Sequence, residues 1–335
     1  MSLLPHPAGH APLVHHAWRA LISAWNAVAL TATRAGYPAR AAVQFRDEIA
    51  PGLLRTRPLR GVGYVVHQNV CRLQPRRRAS RYATFLQNRP LLAVLRRLAV
   101  EWPPGRSVRL AVVGCGTGAE LYSVLWTMRG ARRDLVVHAV GTDASSVALS
   151  SAAAGRYAIG DAELASIDER ETEELFELEQ DDRVVRPWIA AGVEWRVADV
   201  HDDEALRSLA GQDIVLANDV LRHLTDDDAE RCLDRVARLV APGGYVVTCD
   251  MSADVRRRVM RRLGYLPVPV EIRALHAARP DALAQWPMAY WAREPLDVRR
   301  PDWIHRYAVI HQRPAWDSPT AGGSVAQSGT AYTDA

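Results

Sequence analysis

The chain contains no lysine: all 42 of its basic residues are arginine. We take this as an effect of composition and draw no mechanism from it. Cysteine is scarce too, with Cys71, Cys115, Cys232 and Cys249 far apart and no C-x-x-C spacing among them. That leaves no metal-type cluster, so no metal is expected, and the four read as small core or loop residues in a reducing cytoplasm. Long apolar runs are missing as well. The most apolar early segment, Ala20 to Ala32, has 13 residues and includes Asn26, which is too short to span a bilayer. The opening "MSLLPHPAGHAPLVHH" has neither a basic start nor a long apolar stretch, so no signal peptide is expected. These absences point to a cytoplasmic protein with no membrane partner. A compact basic stripe with interleaved aromatics is lacking too, which argues against a nucleic-acid partner despite the net charge of +4. The densest basic runs, "QPRRRASR" (74–81) and "DVRRRVMRR" (254–262), read as solvated helix faces or linkers. There is no internal repeat.

What is present is a packed core. With 335 residues, 48% of them hydrophobic, the chain suits one large domain with an appendage, or two domains. Residues 1–105 carry helix-like patterns, clearest at 17–36 and 90–102, and end at Pro103, Pro104 and Gly105. Residues 106–315 alternate strand and helix, the pattern of an α/β fold whose parallel sheet has helices on both faces. Strands are expected at 108–113, 135–140, 193–197, 214–217 and 245–249, with a last one in "WIHRYAVIHQ" (303–312). Helices are expected at 119–129, 145–154, 226–239 and 253–263, and a disordered tail at 316–335.

The centre of interest is "LAVVGCGTGAELYS" (110–123), an apolar strand followed by Gly114, Gly116 and Gly118 and then a helix. Such a loop lets a ligand approach the backbone closely, and dinucleotides, phosphates and S-adenosylmethionine all use one. Asp143, 29 residues beyond Gly114, can accept the ribose hydroxyls of either NAD or S-adenosylmethionine. Two details separate the two. The spacing is G-x-G-x-G rather than G-x-G-x-x-G, and Glu120 at the helix start would repel a pyrophosphate while suiting a cationic amino acid. The alternative for Glu120 is a plain helix-dipole contact. Further on, Asp199, followed by Val200, ends a strand where it can accept an adenine amino group. "DIVLANDVLRHL" opens a buried strand into Asn218 and Asp219, and "LVAPGGYVV" reads as helix, turn and strand. In order, these look like the successive stations of a class I methyltransferase with a Rossmann-like sheet.

Residues 80–312 resemble the chemotaxis-receptor, or CheR-like, methyltransferase family. "GCGTGAELYSVLWTM" is similar to its cofactor loop, less one acidic residue and a proline; "AAAGRYAIGDAELASID" carries its Gly-x-Tyr; "TFLQNRPLLAVLRRL" loosely resembles its Thr-x-Phe-Phe-Arg segment. "DRVVRPWIAAGVEW" and the run from "DIVLANDV" to "APGGYVV" are similar to its third-to-fifth-strand region. The resemblance implies methylation of receptor glutamates from S-adenosylmethionine, with S-adenosylhomocysteine as product, no metal, and a helical N-terminal domain closing one side. It makes Glu120, Asp143 and Asp199 cofactor contacts, and places Asn218 and Asp219 near the methionine end.

Three departures bear on the acceptor. Gln87 stands for the family's arginine, Asn218–Asp219 for its Arg-Asn pair, and His223 for its tyrosine. Losing an arginine and gaining a carboxylate disfavours an anionic acceptor and suits a neutral or cationic small molecule. His223 or Asp219 could then act as base, or His223 could be a surface or packing residue. Thr84, Gln87, Trp286, Tyr290 and Trp291, with Met288 and Trp303, could form the acceptor pocket, or the aromatics could only cap the sheet. No extra hairpin for docking a receptor tail is expected. A carboxyl methyltransferase acting on protein, and a silent S-adenosylmethionine-binding regulator, are the competing functions.

Overall fold

Along the chain a helix, α1 (Arg89–Glu101), leads into β1 (Ser107–Val113), α2 (Ala119–Ala131), β2 (Val136–Asp143) and α3 (Ser146–Ala154). An inserted segment follows: β3 (Arg156–Ala158), α4 (Glu169–Leu175), β4 (Phe176–Glu179) and β5 (Asp182–Val185). Next come α5 (Pro187–Ala190), β6 (Val193–Val197), α6 (Asp203–Arg207), β7 (Gln212–Leu216), α7 (Asp226–Arg238) and β8 (Val240–Val247). The last elements are α8 (Ala253–Arg262), β9 (Leu266–Pro267), α9 (Ile272–Ala277), α10 (Trp303–Tyr307) and β10 (Ile310–Gln312). This computed structural model describes Tyr64, Gln68, residues 83–278 and residues 294–315. The helix expected at 17–36, the basic run 74–81, the tail, and Trp286, Met288, Tyr290 and Trp291 lie outside the described residues.

The central sheet has seven strands in the order β6-β2-β1-β7-β8-β10-β9. The first five are mutually parallel, and β10 runs antiparallel to both its neighbours. Because successive side chains alternate across a strand, β1 feeds two cores at once. Val108, Leu110 and Val112 pack with α1 and α2, while Ala111 and Val113 pack with α7 and α8. Helix starts follow from local chemistry. Asn88 caps α1 by accepting from the Leu91 N–H, and Thr225 caps α7, whose first turn holds Asp226, Asp227 and Asp228 and whose last holds Arg235 and Arg238. Those charges complement the helix dipole.

Three expectations are corrected. Trp303–Tyr307 is a helix, and only Ile310–Gln312 is strand. Trp303, Ile304 and Tyr307 pack together around Ile272, while Arg306 turns into Asp254 and Glu294, a helical division of faces. Strand β8 begins at Val240 rather than Tyr245, since Pro242 and Gly243 (φ 81°) are absorbed as an irregularity in the pairing with β7 instead of ending a turn. Finally, the chain does carry an extra hairpin: β4 and β5 pair antiparallel and, with β3, form a separate three-stranded sheet. Its strands are short and rich in charge, pinned to the body by Tyr157, Phe176 and Val185.

Candidate active site

The parallel strands all end on the side of the glycine loop, the usual place for ligands in an open α/β sheet. Gly114, Gly116 and Gly118 have φ of 74°, 55° and 91°, backbone that side chains adopt poorly. Space is also closed to other residues there. A Cβ on Gly114 would come 2.8 Å from Val220, and one on Gly118 would come 2.9 Å from the Trp195 ring. The loop is tied to the end of β2: the Gly114 and Cys115 N–H groups donate to Thr142 O at 2.7 and 2.9 Å. Asp143 Oδ2 accepts from the Gly116 N–H at 3.0 Å and its Oδ1 from the Ser145 N–H at 2.8 Å. Each oxygen keeps a second lone pair. Burial, with Asp143 and Glu120 nearby, pushes the Cys115 thiol far up, so this loop cysteine stays neutral.

Glu120 sits in the first turn of α2, and the Asn218 amide donates to its Oε1 at 2.6 Å. The orientation of that amide is fixed from behind, because Asn218 Oδ1 accepts the Cys249 N–H at 2.7 Å. At the other end, Asp199 follows β6 with its Oδ1 2.8 Å from the His201 N–H and 2.7 Å from His201 Nδ1. Burial raises the Asp199 carboxyl, but the His201 N–H and ring outweigh it and hold it below the ordinary carboxylate range. Val200 beside it is buried.

A pocket opens between α1 and the strand ends, lined by Thr84, Gln87, Asn88, Leu91, Glu120, Ser123, Asn218, Asp219, Cys249 and Asp250, among others. It brings Thr84 and Gln87 together with Glu120, Asn218 and Asp219. It does not include Asp143 and Asp199, which lie along the strand ends from β2 to β6, nor His223. Asp219 has φ 62°, a left-handed conformation that aspartate tolerates at modest cost. Arg222 joins the acidic and imidazole groups: its Nη1 stands 2.7 Å from Asp219 Oδ1 and its Nε donates to His223 Nε2 at 2.8 Å. Trp303 is in α10, and the other three pocket aromatics lie outside the described residues.

Sequence reading passed over Asn88, Ser123, Cys249 and Asp250. Asn88 donates to Cys249 Sγ at 3.3 Å, and Ser123 Oγ accepts from the Leu86 N–H at 3.0 Å while donating to Ala119 O at 2.6 Å. These contacts lock α1 against α2 and β8. The signal available for Cys249 and Asp250 was their place just past the C-terminal end of a parallel strand.

The residues present fit S-adenosylmethionine. The loop is narrow and backbone-lined, and Glu120, Asp143 and Asp199 stand along it at one strand end after another, an acidic run suited to an ammonium group, ribose hydroxyls and an adenine amine. A pyrophosphate would meet the same carboxylates with repulsion. Residues 80–252, just over half of the chain, match the family described as "CheR methyltransferase, SAM binding domain". The chain belongs to the CheR methyltransferase family.

No curated protein matches the sequence. Among solved structures this CheR-family chain is similar to DszA carbon methyltransferase, at 18% identity and TM-score 0.30 over 47% of this chain and 32% of that one. It is similar to magnesium protoporphyrin IX methyltransferase from Synechocystis PCC 6803 with bound SAM, at 14% and 0.33 over 55% and 71%. It is similar to CurJ carbon methyltransferase, at 14% and 0.40 over 81% and 68%. The chain thus spans about a third of the length of the DszA structure. Likenesses this distant carry nothing about the acceptor. Among the described residues, no helix of the CheR-family chain is long and apolar enough to cross a membrane.

Proposed function

We propose that the enzyme methylates a small-molecule acceptor that is neutral or cationic. The observation that carries this reading is the pocket lining. Among the described residues it presents Glu120, Asp219 and Asp250 and no arginine, lysine or histidine, with Gln87 where the family resemblance calls for arginine. Arg222 offsets Asp219 from outside that lining. A carboxylate entering such a pocket meets like charge without a bidentate partner.

When bound, S-adenosylmethionine supplies a methyl group already made electrophilic by its sulfonium. The chain's share is to hold and align. Gly114, Gly116 and Gly118 give the backbone close approach, Asp143 takes the ribose, and Asp199 with Val200 takes the adenine. Glu120, braced by Asn218, takes the amino group. Thr84, Gln87 and Asp219 shape the acceptor side. Alignment of reacting atoms at ~3–3.5 Å can supply ~7–11 kcal/mol of a barrier, so little further chemistry is required of the protein. An amine or hydroxyl acceptor must lose a proton; Asp219 lines the pocket and would accept it, while His223, whose Nε2 accepts from Arg222, would take it only after that bond is given up. His223 reaches Asp219 through Arg222, so the three act as one unit on the acceptor side.

A protein carboxylate is the second reading. The three-stranded sheet β3-β5-β4 favours it, because some family members dock receptor tails on such a hairpin. Release of S-adenosylhomocysteine, measured with a panel of small amines and hydroxy compounds in parallel with glutamate-bearing receptor peptides, separates the two. Turnover confined to the small compounds supports the first reading, and turnover confined to the peptides replaces it with the second.

A further inference from the structure

Thr117 stands between Gly116 and Gly118 in the cofactor loop, where the Gly118 N–H closes a turn onto Cys115 O at 3.0 Å. Two glycines in left-handed backbone leave such a loop with much conformational freedom. The carbonyl and the hydroxyl of Thr117 are nonetheless both held, and by residues of the inserted segment. The Tyr157 hydroxyl donates to Thr117 O at 2.7 Å, and Thr117 Oγ1 donates to Glu163 Oε1 at 3.0 Å.

The two clamping residues are themselves fixed. Tyr157 and Glu163 are only 2% and 5% exposed. Phe85 meets the Tyr157 ring edge-on at 5.0 Å, and Phe176 of the small sheet meets it at 5.9 Å. The Phe85 N–H donates to Glu163 O at 2.8 Å. Burial, with Tyr122 and Glu163 nearby, pushes the Tyr157 hydroxyl well up, so it keeps the proton it donates. One buried knot therefore joins the small sheet, the segment that lines the pocket, and the glycine loop.

We propose that Tyr157 and Glu163 are positioning residues for the cofactor: through Thr117 they hold the glycine loop in the conformation that binds S-adenosylmethionine. They act on cofactor affinity and are indifferent to the acceptor, so the proposal stands whichever acceptor is used. It also makes the inserted sheet a structural support of the cofactor site.

The test is calorimetric titration of S-adenosylhomocysteine into wild type, Tyr157→Phe, Glu163→Leu, Glu163→Gln and Tyr157→Phe/Glu163→Leu, each checked for folding by circular dichroism. Losing one buried hydrogen bond should raise Kd about three- to tenfold in Tyr157→Phe and in Glu163→Leu. Glu163→Gln keeps an acceptor oxygen and should stay within about twofold of wild type. The double variant should lose less than the product of the two single losses, because both act through Thr117. Folded Tyr157→Phe with unchanged affinity, or Glu163→Gln as weak as Glu163→Leu, overturns the proposal. Should Tyr157→Phe fail to fold, Thr117→Val decides: it removes only the hydroxyl, and unchanged affinity there overturns the proposal equally.

Discussion

Replacing Asp143 by asparagine probes the cofactor site at its best-defined point. In the folded protein its two oxygens accept one backbone N–H each, from Gly116 and Ser145, at 3.0 and 2.8 Å. Asparagine has a single acceptor oxygen, so its amide N–H2 must face one of those donors, and the charge is lost. A hydrogen bond to a charged group contributes ~1.5–3 kcal/mol. The side chain is partly exposed, and solvent screening puts the stability loss below that range, at about 1 kcal/mol. The effect on binding is larger, because the ribose hydroxyls are to donate to the same two oxygens. Losing one such charged acceptor should weaken S-adenosylhomocysteine binding roughly 10- to 150-fold. Calorimetric titration at 25 °C, with a urea unfolding curve on the same preparation, reads both quantities. A folded Asp143→Asn protein whose Kd moves less than about twofold would refute the placing of the ribose on Asp143.

Three other outcomes are expected. His223→Ala should lower turnover about tenfold or more while leaving S-adenosylhomocysteine affinity unchanged, read by initial rates beside calorimetry, and an unchanged rate removes His223 from the acceptor side. Gly141→Ala on β2 would set a Cβ 2.5 Å from the Trp195 ring and 3.1 Å from Cys115 Sγ, next to the cofactor loop. Overpacking of this kind should cost about 1–3 kcal/mol by urea denaturation, and a loss below about 0.5 kcal/mol would contradict that contact. His311, buried on β10, carries an imidazole that burial pulls down to about 3, with Arg256 and His305 adding to the effect. Its folded value lies below its unfolded value of about 6.5, so the unfolded chain takes up this proton first. The stability it contributes is complete above pH ~6.5 and is lost as pH falls toward the folded value, about 2 kcal/mol by pH ~5. Urea curves at those two pH values should show that slope in wild type and a flatter one in His311→Gln, and equal slopes would contradict it.

The cofactor half of the molecule was readable because its signals are local. Strand β1 is a run of small and branched apolar residues, Gly114 to Gly118 break it, and Asp143 closes the next strand, so type and boundary coincide in a few residues. The small sheet was not readable for the opposite reason. Its strands have three or four residues with charge at Arg156, Glu177, Glu179, Asp182 and Arg183, a composition that also describes a surface loop. What makes them strands is the long-range packing of Tyr157, Phe176 and Val185 against Phe85 and its neighbours. The same holds for Trp303–Tyr307. Its alternation suits a strand, and only its partners, Ile272 on one side and the ion pairs of Arg306 on the other, decide for a helix. In the pocket lining, Gln87 and Asp219 could be singled out from sequence, but Asn88, Cys249 and Asp250 could not, since the pocket is assembled from the segment entering α1 and the stretches after β7 and β8.

The most direct test of a small-molecule acceptor follows the methyl group itself. S-Adenosylmethionine carrying a labelled methyl, the pure enzyme and a lysate divided by size would be incubated together, and the label traced. Label entering the small-molecule fraction, in a product that can be identified by mass, is the expected result. Label on protein that mild base releases as methanol would contradict it, and would make this chain a carboxyl methyltransferase in spite of Gln87 and Asp219.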